Sequence, residues 1–240
     1  MSKTLVISGG SSGIGLAIVK LFITSGFKVY NLDVAPSNIG EYIYCDVTDH
    51  SAVQNVISEI TKNNHIDACI ANAGKHVSSN IENTSDELFT DIFNLNVKGA
   101  FSLIQAIVPS MKQHGGSIIV IGSDQSSIAK ANSCAYNMSK HALASLAKTT
   151  AIDYAQFNIR ANVICAGTIE TPLYHNAIDK YCEKSGADKE QVHNEESALQ
   201  PLGRIGQPAD VAEMALFLAS EKATFITGAM LPVDGGYTTQ

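Results

Sequence analysis

The hydrophobic positions along the chain form two alternating patterns. Short and almost continuously apolar runs, about four to eight residues long, are typical of strands buried on both faces of a parallel sheet. Longer segments with apolar residues three and four positions apart are typical of amphipathic helices. The apolar runs predict strands at 5–8, 26–33 (a helix cap followed by the strand), 41–46, 66–71, 117–122 and 159–165.

The segments between these runs predict helices at 16–22, at 51–63 with Asp49 as the cap, and around Tyr136 and Lys140. Thr84 and Glu87 have the spacing of a capping box, which predicts a further helix continuing to about 109. Strands therefore alternate with helices, and this alternation predicts an α/β fold with a doubly wound parallel sheet and helices on both faces. Because no repeat or linker is present, we predict a single domain over 1–240.

Composition narrows the classes of partner. The net charge of −7 and the isoelectric point near 5.4 give no basic surface for nucleic acid or an anionic membrane, so neither partner is expected. Five cysteines without a Cys-x-x-Cys pair are typical of reduced thiols in a cytoplasmic protein, and no metal site is expected. No apolar run approaches the ~20 residues of a membrane span. The first strand begins almost at once, which leaves no room for a signal peptide.

A glycine-rich loop lies between the first strand and the first helix. Strand, glycine-rich turn and helix together aim backbone N–H groups and a helix N-terminus at a diphosphate. The spacing is Gly-x-x-x-Gly-x-Gly, so the Gly-x-Gly-x-x-Gly fingerprint is not literally matched, and a flexible loop is the alternative. The residues expected to contact a dinucleotide here are Gly9, Ser11, Ser12, Gly13, Ile14 and Gly15.

Asp33 ends the second predicted strand, close to the ~20 residues beyond the glycines where a ribose-binding carboxylate is expected. Such a carboxylate accepts hydrogen bonds from both adenosine-ribose hydroxyls and repels a 2′-phosphate. The following residues 34–37 contain no Arg or Lys to bind that phosphate. NAD is therefore favoured over NADP, although an Asp that only caps a turn remains the alternative.

Tyr136 and Lys140 are four residues apart, so they lie on one face of a helix. An ammonium about 4 Å from a phenolate stabilises it by on the order of 4 kcal/mol at an effective dielectric of roughly 20. This would bring the phenol pKa from near ~10 towards neutrality, where a general acid/base works best. Ser123 would project from the end of a strand, where open α/β sheets place ligands. A solvated Tyr–Lys pair is the alternative.

Further polar positions interrupt a helix or follow strands. Asn96 falls inside the helix predicted to reach about 109, where an asparagine needs compensation. It is either a buried side chain bonded to the backbone or a residue that holds a water beside an active site. Asp46 ends the third strand, and its local chemistry favours a turn or cap. Residues 72–74 end the fourth strand and would allow a flat cofactor to lie over them.

These motifs, in this order, resemble the short-chain dehydrogenase/reductase (SDR) family along nearly the whole chain. The resemblance implies a Rossmann-type fold and a homotetramer packed through the two long helices around Asn96 and Tyr136. The matching motifs are Ser8-Gly9-Gly10-Ser11-Ser12-Gly13-Ile14-Gly15, Asp46-Val47, Asn72-Ala73-Gly74, Asn96-Val97-Lys98-Gly99, Ser123 with Tyr136-x-x-x-Lys140, Gly167 through Thr171, and Ile226-Thr227-Gly228 with Asp234-Gly235-Gly236.

The resemblance also implies roles for the matching residues. Tyr136 would be the acid/base, and Lys140 would lower its pKa and hold the nicotinamide ribose. Ser123 would hydrogen-bond the substrate carbonyl, and Asn96 would position a water in the proton relay. Asp46 would reach the adenine. The implied cofactor contacts beyond the glycine loop are Asp33, Asp46, Val47, Asn72, Ala73, Gly74, Tyr136, Lys140, Ile169 and Thr171.

Three positions qualify the resemblance. Ser8 replaces the usual Thr and keeps the hydroxyl. Ala166 replaces the Pro that commonly precedes Gly167, which loosens the loop expected under the nicotinamide. Thr171 also precedes Pro172, so an N-cap role is an alternative that is compatible with cofactor contact.

Two segments are expected to determine the substrate, namely the polar loop after Ser123 and the segment 172–206, which we interpret as a helical lid. Their polar character favours a sugar, sugar acid or hydroxy acid over a steroid and resembles hydroxybutyrate- and sugar-oxidising family members. The candidate substrate residues are Ser123, Gln125, Lys130, Tyr174 and Arg204.

Three functions remain open at this point. The first is NAD-dependent oxidation of a small polar secondary alcohol. The second is reduction of a 3-oxoacyl thioester, which family members usually run with NADPH and against which Asp33 argues. The third is a dinucleotide-binding regulatory protein without turnover, which would not need Tyr136 and Ser123 together.

Overall fold

The structure has seven short strands, six at the apolar runs predicted from the sequence and a seventh near the end of the chain. The computed structural model describes residues 2–240. The strands are β1 Thr4–Ser8, β2 Lys28–Asp33, β3 Glu41–Tyr44, β4 Ala68–Ala71, β5 Gly116–Ile121, β6 Ile159–Ala166 and β7 Met230–Val233. They form one sheet in the order β3-β2-β1-β4-β5-β6-β7, and every neighbouring pair is parallel. The predicted doubly wound parallel sheet is therefore confirmed.

Helices cover both faces of this sheet. Within residues 2–240 the α-helices are α1 Gly13–Thr24, α2 His50–Thr61, α3 Asp86–Phe93, α4 Gly99–Met111, α5 Cys134–Tyr154, α6 Pro172–Ser185, α7 Lys189–Ala198 and α8 Pro208–Ala219. Helices α1 and α8 pack together on one face, and α2, α4 and α5 pack on the other.

Each face of the sheet has its own hydrophobic core. In β1, Leu5 and Ile7 belong to the cluster beneath α1 and α8, whereas Val6 belongs to the cluster beneath α2, α4 and α5. All three side chains are fully buried. Because both faces are covered, apolar residues are required at every position of the strand, and this explains the continuous runs in the sequence.

The strand order reverses at β1. Chain crossovers lead from β1 to β2 and β3 on one side and from β4 onwards to the other side. Ser8 lies opposite Ala71 in the register of β1 with β4, so the carboxyl ends of these central strands are adjacent. A crevice at such a switch point is where open α/β sheets bind their ligands.

The helix predicted to run to about 109 is interrupted. A π-helical turn, Asn94–Lys98, separates α3 from α4. The side chain of Asn96 in this turn bonds to groups outside the helix, at the Lys75 backbone and the Ser139 hydroxyl. These bonds supply the compensation that an asparagine at this position needs, and π-turns inside helices are frequent at functional sites.

The predicted capping box at Thr84 is wrong by one residue. Ser85 caps α3 by accepting a hydrogen bond from the backbone N–H of Leu88 at 3.2 Å. The Thr84 hydroxyl is already used by the preceding turn, where it donates to the Asn80 carbonyl at 2.6 Å. Helix α1 also begins earlier than predicted, at Gly13, so the glycine loop contributes its own first turn.

Candidate active site

The residues predicted for catalysis lie around the end of β5. Ser123 follows this strand and opens a short 3₁₀ turn, Asp124–Ser126. Tyr136 and Lys140 lie in the first two turns of α5, which packs against the sheet beside that turn. The hydrogen bond of Ser123 with Tyr136 contributes to the phenol's environment. The structure therefore brings the predicted serine, tyrosine and lysine together.

Lys140 is held by the strand end. Its ammonium donates to the Ile121 carbonyl at 2.9 Å and lies 5.5 Å from the centre of the Tyr136 ring. Burial lowers the pKa of Lys140 to about 8, and a nearby Cys165 opposes this shift slightly. Since desolvation disfavours the charged form, Lys140 is a cation at neutral pH that gives up its proton more readily than an exposed lysine.

The pKa of Tyr136 moves in the direction opposite to the one expected from the sequence. Burial raises it to about 12, the Asp124 carboxylate adds to the rise, and the hydrogen bond with Ser123 opposes it. The reason is that desolvation of the phenolate is the largest effect on this pKa, and Lys140 is not among the groups that shift it. The protein by itself thus holds Tyr136 as a neutral phenol.

Asn96 is completely engaged by the protein. It is 1% exposed. Its amide oxygen accepts from Lys75 N at 2.9 Å, and its amide nitrogen donates to Lys75 O at 3.0 Å and to Ser139 Oγ at 3.1 Å. Asn96 therefore ties the loop after β4 to α5. Of the two roles considered for it, the structure shows the buried side chain bonded to backbone, while its place in a proton relay stays a prediction.

The glycine loop has the shape expected for a diphosphate cradle. Gly9 has a φ of +70°, a conformation that favours glycine. A Cβ at Gly15 would lie 2.0 Å from the Gly9 carbonyl oxygen, so only a glycine lets α1 approach the loop this closely. Ser12 at the start of α1 makes no side-chain cap. The first-turn N–H groups of α1 therefore fit an incoming anion, which is the group that a helix N-terminus favours.

The loop is braced by the end of β4. The Asn72 amide donates to Gly9 O at 2.7 Å, and the Ser8 hydroxyl accepts from the backbone N–H groups of Asn72 and Ala73, each at 3.2 Å. Serine at position 8 therefore supplies the hydroxyl oxygen that accepts these two backbone hydrogen bonds, as a threonine also could. Gly74 continues this segment towards the Asn96 side chain.

The acidic residues at the ends of β2 and β3 differ in what their oxygens contact. Asp33 accepts one hydrogen bond on each oxygen, from Ser11 N at 2.9 Å and from Ala35 N at 3.0 Å. Each oxygen keeps a further lone pair for a ribose hydroxyl. In Asp46 one oxygen accepts from both the backbone and the hydroxyl of Thr48, at 2.9 and 2.8 Å, so the local turn role is confirmed. Adenine contact by Asp46 stays a prediction.

Residues after β6 face the glycine loop from the other side. Thr171 caps α6 by accepting from Tyr174 N at 3.2 Å, which confirms the capping role, and a Cβ at Gly13 would lie 3.3 Å from its methyl carbon. Ile169 is buried. Val47 is also buried and contacts Gly99 at the start of α4. Contact of Ile169, Thr171 and Val47 with the cofactor remains a prediction.

The predicted substrate residues separate into two groups. Gln125 is buried in the turn after Ser123, and Lys130 places its ammonium 2.6 Å from Asp124 in the same turn. Arg204 is not beside them. Its guanidinium forms two hydrogen bonds with Asp210, at 2.7 and 3.0 Å, and it lines a cavity of about 550 Å³ against α8 and β7 that includes none of the predicted catalytic residues.

Tyr174 makes its side-chain contact within the α6–α7 segment. Its hydroxyl is 3.0 Å from His193 Nδ1, between α6 and α7, and it lines a second cavity of about 400 Å³ that contains neither Ser123 nor Tyr136. Burial raises the pKa of the Tyr174 phenol to about 12. Tyr174 therefore has a partner on α7 and Arg204 has one on α8, and contact of either residue with a substrate stays a prediction.

The sequence analysis missed His76 and Tyr237 at the site, and it included Asp124 only as part of the polar loop after Ser123. The His76 ring packs edge-on against the Tyr136 ring, with centroids 4.7 Å apart, and burial together with the Lys130 charge lowers its pKa. Asp124 accepts a hydrogen bond from the Ser123 hydroxyl at 2.7 Å. The Tyr237 ring covers the Lys130 ammonium at 4.3 Å. The sequence carried a signal only for Asp124, through its position next to Ser123.

No helix in residues 2–240 is both long and apolar enough to cross a membrane. The same residues contain no group of three or more His, Cys, Asp or Glu side chains placed to hold a metal ion.

The chain is similar to known oxidoreductases along nearly its whole length. Residues 9–238 match the family described as enoyl-(acyl carrier protein) reductase. L-fucose dehydrogenase of Mus musculus is 36% identical over 98% of this chain and 88% of its own. The 3-oxoacyl-[acyl-carrier-protein] reductase of Thermotoga maritima is 32% identical over 98% of this chain and 97% of its own.

Solved structures of similar proteins cover the whole chain. A short chain dehydrogenase family protein from Francisella tularensis superposes with a TM-score of 0.94 at 37% identity, covering 100% of both chains. Ligand-free aldohexose dehydrogenase of Thermoplasma acidophilum has a TM-score of 0.93 at 36% identity, covering 100% of this chain and 95% of its own. ElxO with NADP bound has a TM-score of 0.90 at 28% identity and covers 100% of both chains.

Proposed function

This chain belongs to the short-chain dehydrogenase/reductase family, oxidoreductases that act on CH–OH groups, and we propose that it transfers a hydride between NAD(H) and a small polar secondary alcohol or ketone. The substrate class proposed is a sugar, sugar acid or hydroxy acid, with Tyr136 as the acid/base. The observation that carries the proposal is the convergence of Ser123, Tyr136 and Lys140 at the end of β5, beside a glycine loop that fits a dinucleotide. Because the chain is an enzyme of this family, the regulatory alternative without turnover is set aside.

The residues divide the work of the reaction among themselves. A bound nicotinamide supplies the hydride chemistry, while the protein binds, orients and moves the proton. Tyr136, a neutral phenol by virtue of its pKa of about 12, is ready to donate a proton to a substrate carbonyl oxygen. For oxidation the phenol must first lose its proton. Positive charge nearby, from Lys140 and from an oxidised nicotinamide, favours that loss.

NAD is the proposed cofactor because of the end of β2. The Asp33 carboxylate lies there with lone pairs to spare, and no Arg or Lys follows in 34–37. Its charge repels a 2′-phosphate and suits two ribose hydroxyls. Replacement of Asp33 by Ala is expected to narrow the preference for NADH over NADPH, measured as the ratio of the two dissociation constants. Equal binding of both dinucleotides by the unmutated protein would contradict the role given to Asp33.

The substrate class rests on polarity around Ser123. Gln125, Lys130, Asp124 and His76 all lie at or next to the catalytic residues, and each offers a polar group. Two of the similar proteins, named for L-fucose and aldohexoses, act on sugars, which supports an aldose among the candidates. The similar thioester reductase keeps reduction of a 3-oxoacyl thioester as the competing outcome of the test.

The test is NADH formation, followed by absorbance, across a panel of aldoses, sugar acids and hydroxy acids with NAD. Tyr136→Phe is expected to lower turnover by about 10³-fold while NADH binding is retained, because only the acid/base is removed. Tyr154→Phe at the far end of α5 is the matched control and keeps full activity. Silence across the panel, with turnover of an acetoacetyl thioester by NADPH, would replace the proposed substrate class.

The cytoplasmic location and the homotetramer also remain proposals. The family expectation places the subunit contacts on the two long helices around Asn96 and Tyr136, which are α4 and α5 in the structure. Light scattering of the purified chain tests the oligomeric state. A monomer at micromolar concentration would contradict the tetramer.

A further inference from the structure

His76 lies beside Tyr136, and the chemistry described so far gives it no role. The two rings meet edge to face, with centroids 4.7 Å apart and planes at 78°. The His76 side chain is partly buried, and the charged groups that affect its pKa are Lys130, Asp124 and Lys140. His76 therefore lies among the residues of the candidate active site.

The loop that carries His76 is fixed at two points. On one side, the Asn96 side chain bonds to both the N–H and the carbonyl of Lys75, at 2.9 and 3.0 Å. On the other side, the backbone N–H of Cys134 at the start of α5 donates to the Ser79 carbonyl at 3.0 Å. Because both anchors hold the backbone around it, the imidazole is positioned in advance, and a ligand that binds it loses little affinity to ordering the loop.

The two nitrogens of the His76 ring differ in their contacts. Nε2 lies 3.5 Å from the Ser133 hydroxyl. Nδ1 has no hydrogen-bond partner among residues 2–240 and stays accessible to solvent. Burial and the Lys130 charge lower the pKa of His76, so the ring is neutral at pH 7. A neutral imidazole has one N–H donor and one acceptor. A hydroxyl group donates and accepts, so it pairs with Nδ1 whichever tautomer is present.

The surroundings favour a hydroxyl over an anion as the partner of Nδ1. The Lys130 ammonium lies 2.6 Å from Asp124 Oδ2, and the buried Lys140 ammonium donates to the Ile121 carbonyl. A substrate carboxylate beside His76 would therefore meet ammonium groups that already have partners, and the Asp124 carboxylate would repel it. Because taking a carboxylate out of water is costly without a cation to pair with it, a neutral group is preferred here.

We propose that His76 is a substrate-binding residue that hydrogen-bonds the hydroxyl next to the one that reacts, so that the site selects 1,2-diols such as the cyclic forms of aldoses. The ring contact places the imidazole next to the Tyr136 phenol, within reach of an oxygen one carbon away from the reacting one. His76 does not move the proton, which passes between the substrate and Tyr136. This inference rests on the proposed function and narrows its substrate class to polyols.

The test compares three ligands that share a cyclohexane ring and one hydroxyl. The diol trans-1,2-cyclohexanediol has a second hydroxyl on the next carbon, trans-2-hydroxycyclohexanecarboxylate has a carboxylate there, and cyclohexanol has neither. Their dissociation constants on the NADH-saturated protein are measured by the change in NADH fluorescence. Because NADH and an alcohol are both reduced, no turnover disturbs the measurement. The unmutated protein is expected to bind the diol about fivefold more tightly than cyclohexanol, and the hydroxy acid no more tightly than cyclohexanol.

Two substitutions of His76 separate hydrogen bonding from packing. His76→Phe keeps an aromatic ring against Tyr136 without a nitrogen, so the ratio of the cyclohexanol to the diol dissociation constant is expected to fall from about five to about one. His76→Asn places an amide near the position of Nδ1 and is expected to recover part of the preference. A merely structural role for His76 weakens both ligands alike and leaves the ratio unchanged. The control is His114→Phe, an exposed position before β5 at the opposite end of that strand from Ser123, and it keeps the ratio.

Three results overturn the proposal. The first is a diol that fails to bind or that binds no more tightly than cyclohexanol, the second is a ratio that His76→Phe leaves unchanged, and the third is a hydroxy acid that binds more tightly than the diol. The binding ratio needs no turnover, so it is independent of the substrate panel. Silence across that panel fails the proposed function alone, and the absence of a diol preference in an active enzyme fails this inference alone.

Discussion

The ends of the central strands and the α6–α7 segment are built in different ways. At the strand ends, Asn96, Ser123 and Lys140 are buried, and each bonds to backbone or to a neighbouring buried side chain. In α6 only Ile178 is buried, and in α7 no residue of the helix is. The contacts between these two helices include the exposed ion pair Lys189–Asp179 and the partly buried contact between Tyr174 and His193. The residues predicted for catalysis are thus held by the core, while the α6–α7 segment is held largely by contacts for which water competes.

The largest expected effect on this difference between the strand ends and the α6–α7 segment comes from a glycine substitution. A methyl group at Gly15 would lie 2.0 Å from the Gly9 carbonyl oxygen and 2.6 Å from the Asn72 amide. Gly15→Ala is therefore expected to cost about 3 kcal/mol of unfolding free energy and to weaken NADH binding by more than about tenfold. Urea denaturation and NADH titration measure the two effects.

The matched control lies at the end of α6. Gly186 has a φ of +72° with nothing within 4 Å of an added Cβ. Gly186→Ala therefore meets only the backbone penalty, about 1–2 kcal/mol, and NADH binding is expected to stay unchanged. Similar losses of NADH binding in both variants would show that the lid and the strand ends are not independent.

The fold was predictable because its evidence is local. Strands covered on both faces must be apolar at every position, so β1, β4 and β5 stand out in the sequence. The four-residue spacing of Tyr136 and Lys140 and the glycine loop are also local patterns, and the structure places both where they were expected.

Two kinds of feature were not predictable from the sequence. The first is contact between residues far apart in the chain, and the second is the balance between burial and nearby charge that sets a pKa. His76 meets Tyr136 sixty positions later, and Tyr237 covers Lys130 from the other end of the chain. No periodicity encodes such contacts. The expected lowering of the Tyr136 pKa failed for a different reason: spacing gives the face of a helix but not the desolvation of the phenol, which dominates.

Burial of the Lys140 ammonium is expected to have a moderate effect on how the unfolding free energy changes with pH. Its pKa falls from 10.5 to about 8, chiefly through burial. Between these values the unfolded chain binds more protons than the folded one, so stability rises with pH by up to about 1.4 kcal/mol per pH unit. The measurement is the unfolding free energy at pH 8 and pH 9 for the unmutated protein and for Lys140→Met.

The difference between the two proteins isolates this effect. Burial raises the pKa of the Cys45 thiol to about 11, which makes stability fall above pH 9 in both proteins and cancels in the difference. Burial raises the pKa of Cys165 to about 11 as well, and the Lys140 charge lowers it, so Lys140→Met raises it further. The folded Cys165 thiol therefore stays protonated from pH 8 to 9 in both proteins, and its contribution cancels in that range. If the difference in unfolding free energy between the two proteins does not change from pH 8 to pH 9, Lys140 is solvated. The end of β5 would then be as exposed to water as the α6–α7 segment.

The smallest effect is expected at Arg204, where the sequence pointed to the substrate and the structure shows an exposed ion pair with Asp210. Arg204→Gln is expected to change kcat/KM by less than about twofold, because exposed pairs contribute little and this one lines a cavity away from Tyr136. Lys130→Gln, which removes the charge beside Asp124, is expected to lower kcat/KM about tenfold. Steady-state kinetics on the same substrate compare the two. A large loss in Arg204→Gln with normal kinetics in Lys130→Gln would return the substrate to the lid, because only closure of that segment could bring Arg204 to the reacting atoms.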